Sequence, residues 1–363
     1  MLQLMTEKAK NLLEENKKAP VPEPKIKICV LGASGVGKTS VITSLYAGGQ
    51  QMMEGSELYF AAQKATDRLL SSRHMEFKEM FDGRREGKDI VYREGTGGDF
   101  MESSLAFRFG SQAQGIHIHI GIQDYPGEQL ISNPKTAERH IAGADAILLV
   151  IDTPCLMEEG GRFNEGRNRM KAISHLLMKH LPKDEEKLVF FVPVKCERYV
   201  HDGRIEEVNA RICGAYGELL AYLRNLQTAD GQRKSICCAI TPVQTLGSVE
   251  FDSFERGSAG VKAVELEDGC EIPAGENYRF VGGEAAYAPK NAEQLLSILL
   301  HYFAGRYERM KEEHSESTAI SRFIGVVTPA SCASRFRMET MRLVRKSEAD
   351  GMQPCVLFGK GRM

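Results

Sequence analysis

No stretch of the chain stays apolar for the ~18 residues that a membrane span requires, so nothing in it reads as a transmembrane segment. A surplus of one charge is also lacking. Lysine and arginine number 47 and aspartate and glutamate 49 among 363 residues, a formal net charge of −2. That balance leaves no basic footprint, and no nucleic-acid partner is expected. Paired cysteines are missing as well. The nine cysteines are scattered, with no C-x-x-C pair and no zinc spacing. An odd count without a secretory signal fits reduced thiols and predicts a cytoplasmic protein. Cys237 and Cys238 lie in the run 235–240, which reads as buried strand with inert core sulfur. Internal repeats and low-complexity segments are absent. Residues 1–18 are charged throughout, unlike a signal peptide. Leu2, Met5, Ala9, Leu12 and Leu13 leave a short apolar stripe on a possible helix, and residues 19–24 form a stiff, proline-rich linker.

What the chain does hold is Gly32-Ala33-Ser34-Gly35-Val36-Gly37-Lys38-Thr39-Ser40, which fits the phosphate-binding pattern G-x-x-x-x-G-K-[ST]. Lys25 to Leu31 before it alternates and then turns apolar, as a strand entering a core does. Thr39 to Tyr46 after it reads as a helix start. The context is strand, glycine loop, helix, as the motif requires. Glycines 32, 35 and 37 let the backbone turn so that successive N–H groups, those of Ser34 and Val36 among them, point at one anion. The helix N-terminus adds partial positive charge. Lys38 is placed to reach β- and γ-phosphates, the Thr39 hydroxyl to ligate Mg²⁺, and Ser40 to touch the α-phosphate.

Downstream, Ser103 to Phe109 and Ile116 to Gln123 alternate on either side of a short polar turn, which predicts an antiparallel hairpin. His117 and His119 share one face of the second strand, and the simplest account is a polar face opposite a row of isoleucines. Ala146 to Ile151, Leu188 to Val192 and Ile236 to Ile240 are apolar runs suited to strands buried on both faces. Helical stripes separate them, so an α/β fold with a mostly parallel sheet is expected. The predicted organisation is an N-terminal helix and linker (1–24), a core (25–247) with a helical insertion at about 48–95, an insertion (248–286), a closing helix (287–314) and a C-terminal tail (315–363). Asn291 and Gln294 form a capping-box pattern at the start of the closing helix.

The hairpin ends at Asp124-Tyr125-Pro126-Gly127-Glu128. An aspartate at the end of a buried strand can hold Mg²⁺, usually through water. A glycine three residues on can offer its N–H to a γ-phosphate and sense whether it is present. Asp152 follows another buried strand and is the competing acidic ligand. Asp124 is favoured because the glycine follows only there.

Val194-Lys195-Cys196-Glu197 follows the strand ending at Val192. Together with the P-loop and D-x-x-G, this resembles the Ras-like P-loop GTPases of the translation-factor-related class, whose base-reading motif is N-K-x-D. Val194 replaces the Asn and Glu197 the Asp. A carboxylate suits guanine, whose N1–H and N2 amino group are donors, and would repel the N1 lone pair of adenine. The alkyl stem of Lys195 can cover the base. Thr241 stands where the family has its short last loop. The likeness spans roughly 25–247 and the closing helix, and implies a mostly parallel sheet with one antiparallel hairpin strand and helices on both faces. It makes Thr96 the switch threonine that completes Mg²⁺ coordination and puts Glu128 where the family has its water-orienting Gln. Arg93, three residues before Thr96, resembles the cis-acting arginine of heterotrimeric G-protein α-subunits. The wording Asp-Tyr-Pro-Gly-Glu also looks like that of bacterial GTPases of multi-gene defence or signalling systems. The resemblance implies a switch that binds GTP and GDP, hydrolyses GTP slowly with Mg²⁺, and engages a protein effector. A non-hydrolysing nucleotide-gated scaffold and a P-loop ATPase or kinase remain as alternatives.

Overall fold

Strand β1 (Lys25–Leu31) delivers the chain into the glycine loop, and helix α1 (Lys38–Met52) leaves it. The computed structural model describes residues 23–81, 89–92, 103–124, 134–182, 185–226, 236–258, 260–281, 286–316, 329–350 and 353–359. The expected N-terminal helix, Arg93, Thr96, Gly127 and Glu128 lie outside the described residues.

The chain continues through β2 (Leu58–Ala62), α2 (Lys64–Phe81), β3 (Asp89–Tyr92), β4 (Ser103–Ser111), β5 (Ile116–Asp124), α3 (Pro134–Gly143) and β6 (Ala146–Asp152). Next come α4 (Thr153–Met157), α5 (Asn164–Asn168), α6 (Met170–His180), β7 (Leu188–Val194), α7 (Glu197–His201), α8 (Ile205–Ala215), α9 (Gly217–Asn225) and β8 (Cys237–Ile240). A set of short strands follows: β9 (Val249–Phe254), β10 (Arg256–Gly257), β11 (Gly260–Val261), β12 (Ala263–Glu265), β13 (Glu271–Pro273) and β14 (Glu276–Phe280). Helices α10 (Ala292–Glu316) and α11 (Pro329–Asp350) and strand β15 (Cys355–Phe358) complete the described chain.

Eight strands form one sheet in the order β15-β8-β7-β6-β1-β5-β4-β2. Pairs from β8 through β5 are parallel, and the β4–β5 hairpin is antiparallel, as its alternation predicts. Every residue of β6 and β7 is buried, which explains their unbroken apolar runs. In β5 the isoleucines alternate into the core. His117 Nδ1 meets the Tyr59 hydroxyl at 2.6 Å, and His119 pairs with Glu23, so both histidines are hydrogen-bonded on the sheet's polar side. Helices cover both faces. One face packs against α1 and α10, the other against α3, α6, α8 and α9. No helix among the described residues is long and apolar enough to cross a membrane.

Several elements depart from the sequence expectation. The stretch expected as helical insertion holds α2, but also β2, which pairs with β4 in the main sheet. The unassigned tail supplies α11, with Phe336 and Leu343 buried in the core, and the antiparallel edge strand β15. The capping box is not closed. Asn291 has a left-handed φ of 68° and its amide donates to the Pro242 carbonyl at 2.6 Å, while both polar side-chain atoms of Gln294 are buried without a hydrogen-bond partner. Cys237 and Cys238 are buried in β8, and all nine cysteines are free thiols.

The insertion builds its own layer. Strands β3, β14 and β9 form an antiparallel sheet whose Val249, Phe251, Phe254, Tyr278 and Phe280 close over Phe81, Cys155 and Phe163. This small core sets the insertion against the carboxyl ends of the central strands.

Candidate functional site

Parallel strands bring their carboxyl ends to one edge, and the segments leaving them make the site. Register places Asp124 of β5 beside Val30 of β1, and Asp152 of β6 beside Val194 of β7. The glycine loop, Asp124, Asp152 and Lys195 therefore meet without any long reach.

The loop is built as its motif demands. Gly35 and Gly37 hold φ of 76° and 108°, left-handed values that favour glycine. A Cβ at Gly37 would lie 3.2 Å from Val194 Cγ2. Val194, which replaces the family's Asn, thus packs under the loop. Ser34 and Gly35 are exposed at the loop's crest and Val36 is buried beneath it. Lys38 is nearly buried, and its Nζ donates to the carbonyls of Gly32 and Ala33, each at 2.9 Å. These bonds hold the ammonium against the loop. Ser40 is half-buried, and its carbonyl accepts from the Ser44 hydroxyl at 2.8 Å.

The Thr39 hydroxyl stands beside the Asp124 carboxyl and favours its ionised form. Burial pushes the Asp124 carboxyl above its usual range, against the pull of Lys38 and Thr39. Asp124 Oδ1 is buried and has no hydrogen-bond partner. A hydroxyl and an orphaned carboxylate oxygen side by side are a hard-oxygen set, which suits Mg²⁺. The residues present fit that ion.

Asp152 is spent differently. Its Oδ2 accepts from Lys195 Nζ at 2.5 Å and its Oδ1 from the Cys155 N–H at 3.0 Å. Burial pushes its carboxyl up, but Lys195 and Arg167 outweigh burial and hold it below the usual range. Lys195, at a left-handed φ of 54°, also donates to Glu276 Oε2 at 2.7 Å. Asp152, Cys155 and Glu276 cluster closely enough for a metal, but the Lys195 ammonium bonds to both carboxylates there.

Glu197 opens α7 and is buried. Its Oε1 accepts from the Leu246 N–H at 2.7 Å, and its Oε2 is buried without a partner. Burial raises its carboxyl to about 7. It thus faces the loop that follows β8, where Thr241 also has a buried, unpartnered hydroxyl. The structure brings Lys38, Thr39 and Asp124 together, and Glu197 to the last loop. Lys195 is turned onto Asp152 and Glu276.

Two residues at this edge escaped the sequence reading. Glu276 arrives on β14 from the insertion. Arg167 arrives on α5, where a Cβ at Gly35 would meet its Nη1 at 2.8 Å. Neither sits in a motif. The crossing of the insertion over the strand ends places Glu276, while Asn168, whose side-chain amide bonds the Asp152 backbone N–H and carbonyl, holds α5 and Arg167 at the end of β6.

A mostly parallel sheet with a glycine loop, a loop lysine and a hydroxyl–carboxylate pair at its strand ends defines a P-loop NTPase fold. Residues 26–229, more than half of the chain, match the model of the Double-GTPase 2 family, and the chain belongs to that family. Membership supports GTP binding. No curated protein matches. Among solved structures, the chain is similar to the GTP-bound Ski7 GTPase-like domain of S. cerevisiae, at 14% identity and a TM-score of 0.31. That likeness covers 62% of this chain and 44% of the other, so the chain spans less than half of that structure's length. The wording shared with defence or signalling GTPases gains no support from these matches.

Proposed function

We propose that the chain is a GTP-binding switch of the translation-factor-like class that hydrolyses GTP slowly with Mg²⁺. The observation that carries this is the Thr39–Asp124 pair beneath a glycine loop whose lysine is already drawn onto it. Lys38 faces the β- and γ-phosphates, and Thr39, Asp124 and Thr96 hold the ion. When bound, Mg²⁺ neutralises charge across those phosphates. Gly127 senses the γ-phosphate, Glu128 accepts a hydrogen bond from the attacking water, and Arg93 meets the charge developing in the transition state. Glu197 and Thr241 recognise the base. We read 25–247 with the closing helix as the catalytic core, to which the tail adds α11 and β15, and 248–286 as the surface that meets an effector.

Titration calorimetry with Mg²⁺ tests this. GTP should bind in preference to ATP, and Lys38→Ala should lose roughly a hundredfold in affinity while keeping its fold. Unchanged affinity in that variant removes the P-loop from nucleotide binding. ATP outcompeting GTP on the unmutated protein turns the reading to a P-loop ATPase. A second reading, a non-hydrolysing nucleotide-gated scaffold, is favoured by one feature: Lys195 is bound by the insertion through Glu276. Single-turnover hydrolysis by purified protein separates the two.

A further inference from the structure

Helix α5 sets an arginine against the P-loop. Arg167 lies so close to Gly35 that a side chain there would strike its guanidinium, as the 2.8 Å separation shows. Its side chain is only 19% exposed, and Nε is buried without a hydrogen-bond partner. Glu276 Oε1 stands 4.0 Å from Arg167 Nη2, beyond hydrogen-bond reach, and that oxygen is also buried without a partner. Two carboxylates, Asp152 and Glu276, face two cations here. Lys195 donates hydrogen bonds to both carboxylates. Arg167 balances charge but leaves donor capacity unspent. A buried guanidinium with its counter-charge nearby and an unmet donor is suited to an anionic oxygen brought to the loop.

The insertion fixes where that arginine stands. Arg162, just before α5, pairs with both carboxylate oxygens of Glu271, at 2.5 and 2.8 Å. Arg169, just after it, pairs with Asp268. Between them, Gly166 lies so near the Glu271 carbonyl that a Cβ would come within 1.9 Å of it. The helix is clamped on both sides, and the same insertion carries Glu276.

We propose that Arg167 is a phosphate-binding residue of the nucleotide site, and that Glu276 competes with the diphosphate oxygens for it. This rests on the nucleotide reading above. In a P-loop the backbone N–H groups converge on the β-phosphate, so a cation in contact with Gly35 sits on the diphosphate side of the ligand, away from the base. The planar fork of a guanidinium matches phosphate oxygens. Removing the negative charge of Glu276 leaves more of the positive potential for the ligand. The insertion thereby sets nucleotide affinity from outside the motifs.

The test titrates GDP and GMP, with Mg²⁺, into the full chain carrying Arg167→Gln, Arg167→Lys or Glu276→Gln. Arg167→Gln should lose roughly tenfold for GDP and nothing for GMP. Arg167→Lys should fall between, since it keeps charge without the fork. Glu276→Gln, which retains an acceptor for Lys195, should bind GDP several-fold more tightly. Equal losses for both ligands, or no loss, would mean a purely structural arginine and overturn the proposal. Should Arg167→Gln fail to fold, Glu276→Gln decides alone: unchanged or weaker GDP binding overturns it. Absence of GDP binding in the unmutated protein would instead overturn the nucleotide reading itself.

Discussion

Lys195 and Glu276 lie 81 positions apart in the chain and meet at 2.7 Å. The lysine of the Val194–Glu197 stretch is thereby tied to a strand of the insertion. It is also bonded to Asp152, so a single ammonium bridges two buried carboxylates. Removing it takes away the one ammonium hydrogen-bonded to both and leaves Arg167 as the cation facing two buried carboxylates. Lys195→Ala should cost roughly 3–5 kcal/mol of folding stability. Urea denaturation measures it, and an unchanged midpoint would show that water reaches the cluster and the bridge contributes little.

Glu197 should make stability pH-dependent in an unusual direction. Its folded pKa is raised to about 7 from an ordinary glutamate value of 4.5, chiefly by burial. Between those values the folded chain binds more protons than the unfolded one at this site. Stability from this group is therefore full below the unfolded pKa and is lost as pH rises through the folded one. The loss is on the order of 3 kcal/mol across the window. Glu197→Gln should flatten that part of the pH–stability curve. If the ionised carboxylate reads guanine, GTP affinity should rise between pH 6 and 8, by roughly tenfold at most per unit, and the same variant should abolish the slope. A pH-independent affinity in the unmutated protein would detach Glu197 from the base.

Asp124→Asn keeps the shape and polarity beside Thr39 while removing the charge. The fold should survive and the gain in GTP affinity on adding Mg²⁺ should shrink by roughly tenfold or more. Binding titrations in Mg²⁺ and in a chelator give the ratio. A ratio equal to that of the unmutated protein would pass the ligand role to another acid.

Arg93 and Arg167 are predicted to separate by readout, Arg93 in hydrolysis rate and Arg167 in GDP affinity. Arg93→Ala should slow single-turnover hydrolysis by ~10²-fold or more with GTP affinity nearly constant, as expected for a contact made in the transition state. Equal hydrolysis rates would remove Arg93 from the mechanism.

Gly166→Ala probes the clamp on α5. The added methyl would enter the space of the Glu271 carbonyl. The helix or β13 must yield, at a cost of roughly 1–3 kcal/mol. Thermal denaturation reads the cost, and GDP affinity should fall with it because Arg167 is carried on the same helix. A parent-like melting temperature would mean that the insertion adapts freely.

Legibility in the sequence followed how local each signal is. The P-loop is contiguous, and its glycines, lysine and threonine are dictated by backbone geometry over nine residues, Gly32 to Ser40. The buried strands β6 and β7 are readable because burial on both faces demands unbroken apolar runs, and β5, which ends at Asp124, is readable from its alternation. Strands β2 and β15 are not, since each is short and lies at a sheet edge, where pairing with β4 or β8 decides the conformation. The capping-box pattern misled because Asn291 is turned to the Pro242 carbonyl. Glu276 and Arg167 have no local signature at all. Glu276 is placed by the insertion folding back across the strand ends and Arg167 by the anchoring of α5 to Asp152 through Asn168, both of which tertiary contact alone specifies.

Strand β15 gives the order of synthesis a structural consequence. Its residues pair along β8, and the Cys237 thiol donates to the Gly359 carbonyl at 3.3 Å. A ribosome releases β8 long before Cys355 emerges. Throughout that interval the outer edge of β8 offers unpaired N–H and C=O groups to any neighbouring nascent chain. Arrival of β15 covers that edge of β8 and leaves as the sheet's open margin a strand of only four residues, Cys355–Phe358, too short to template much pairing.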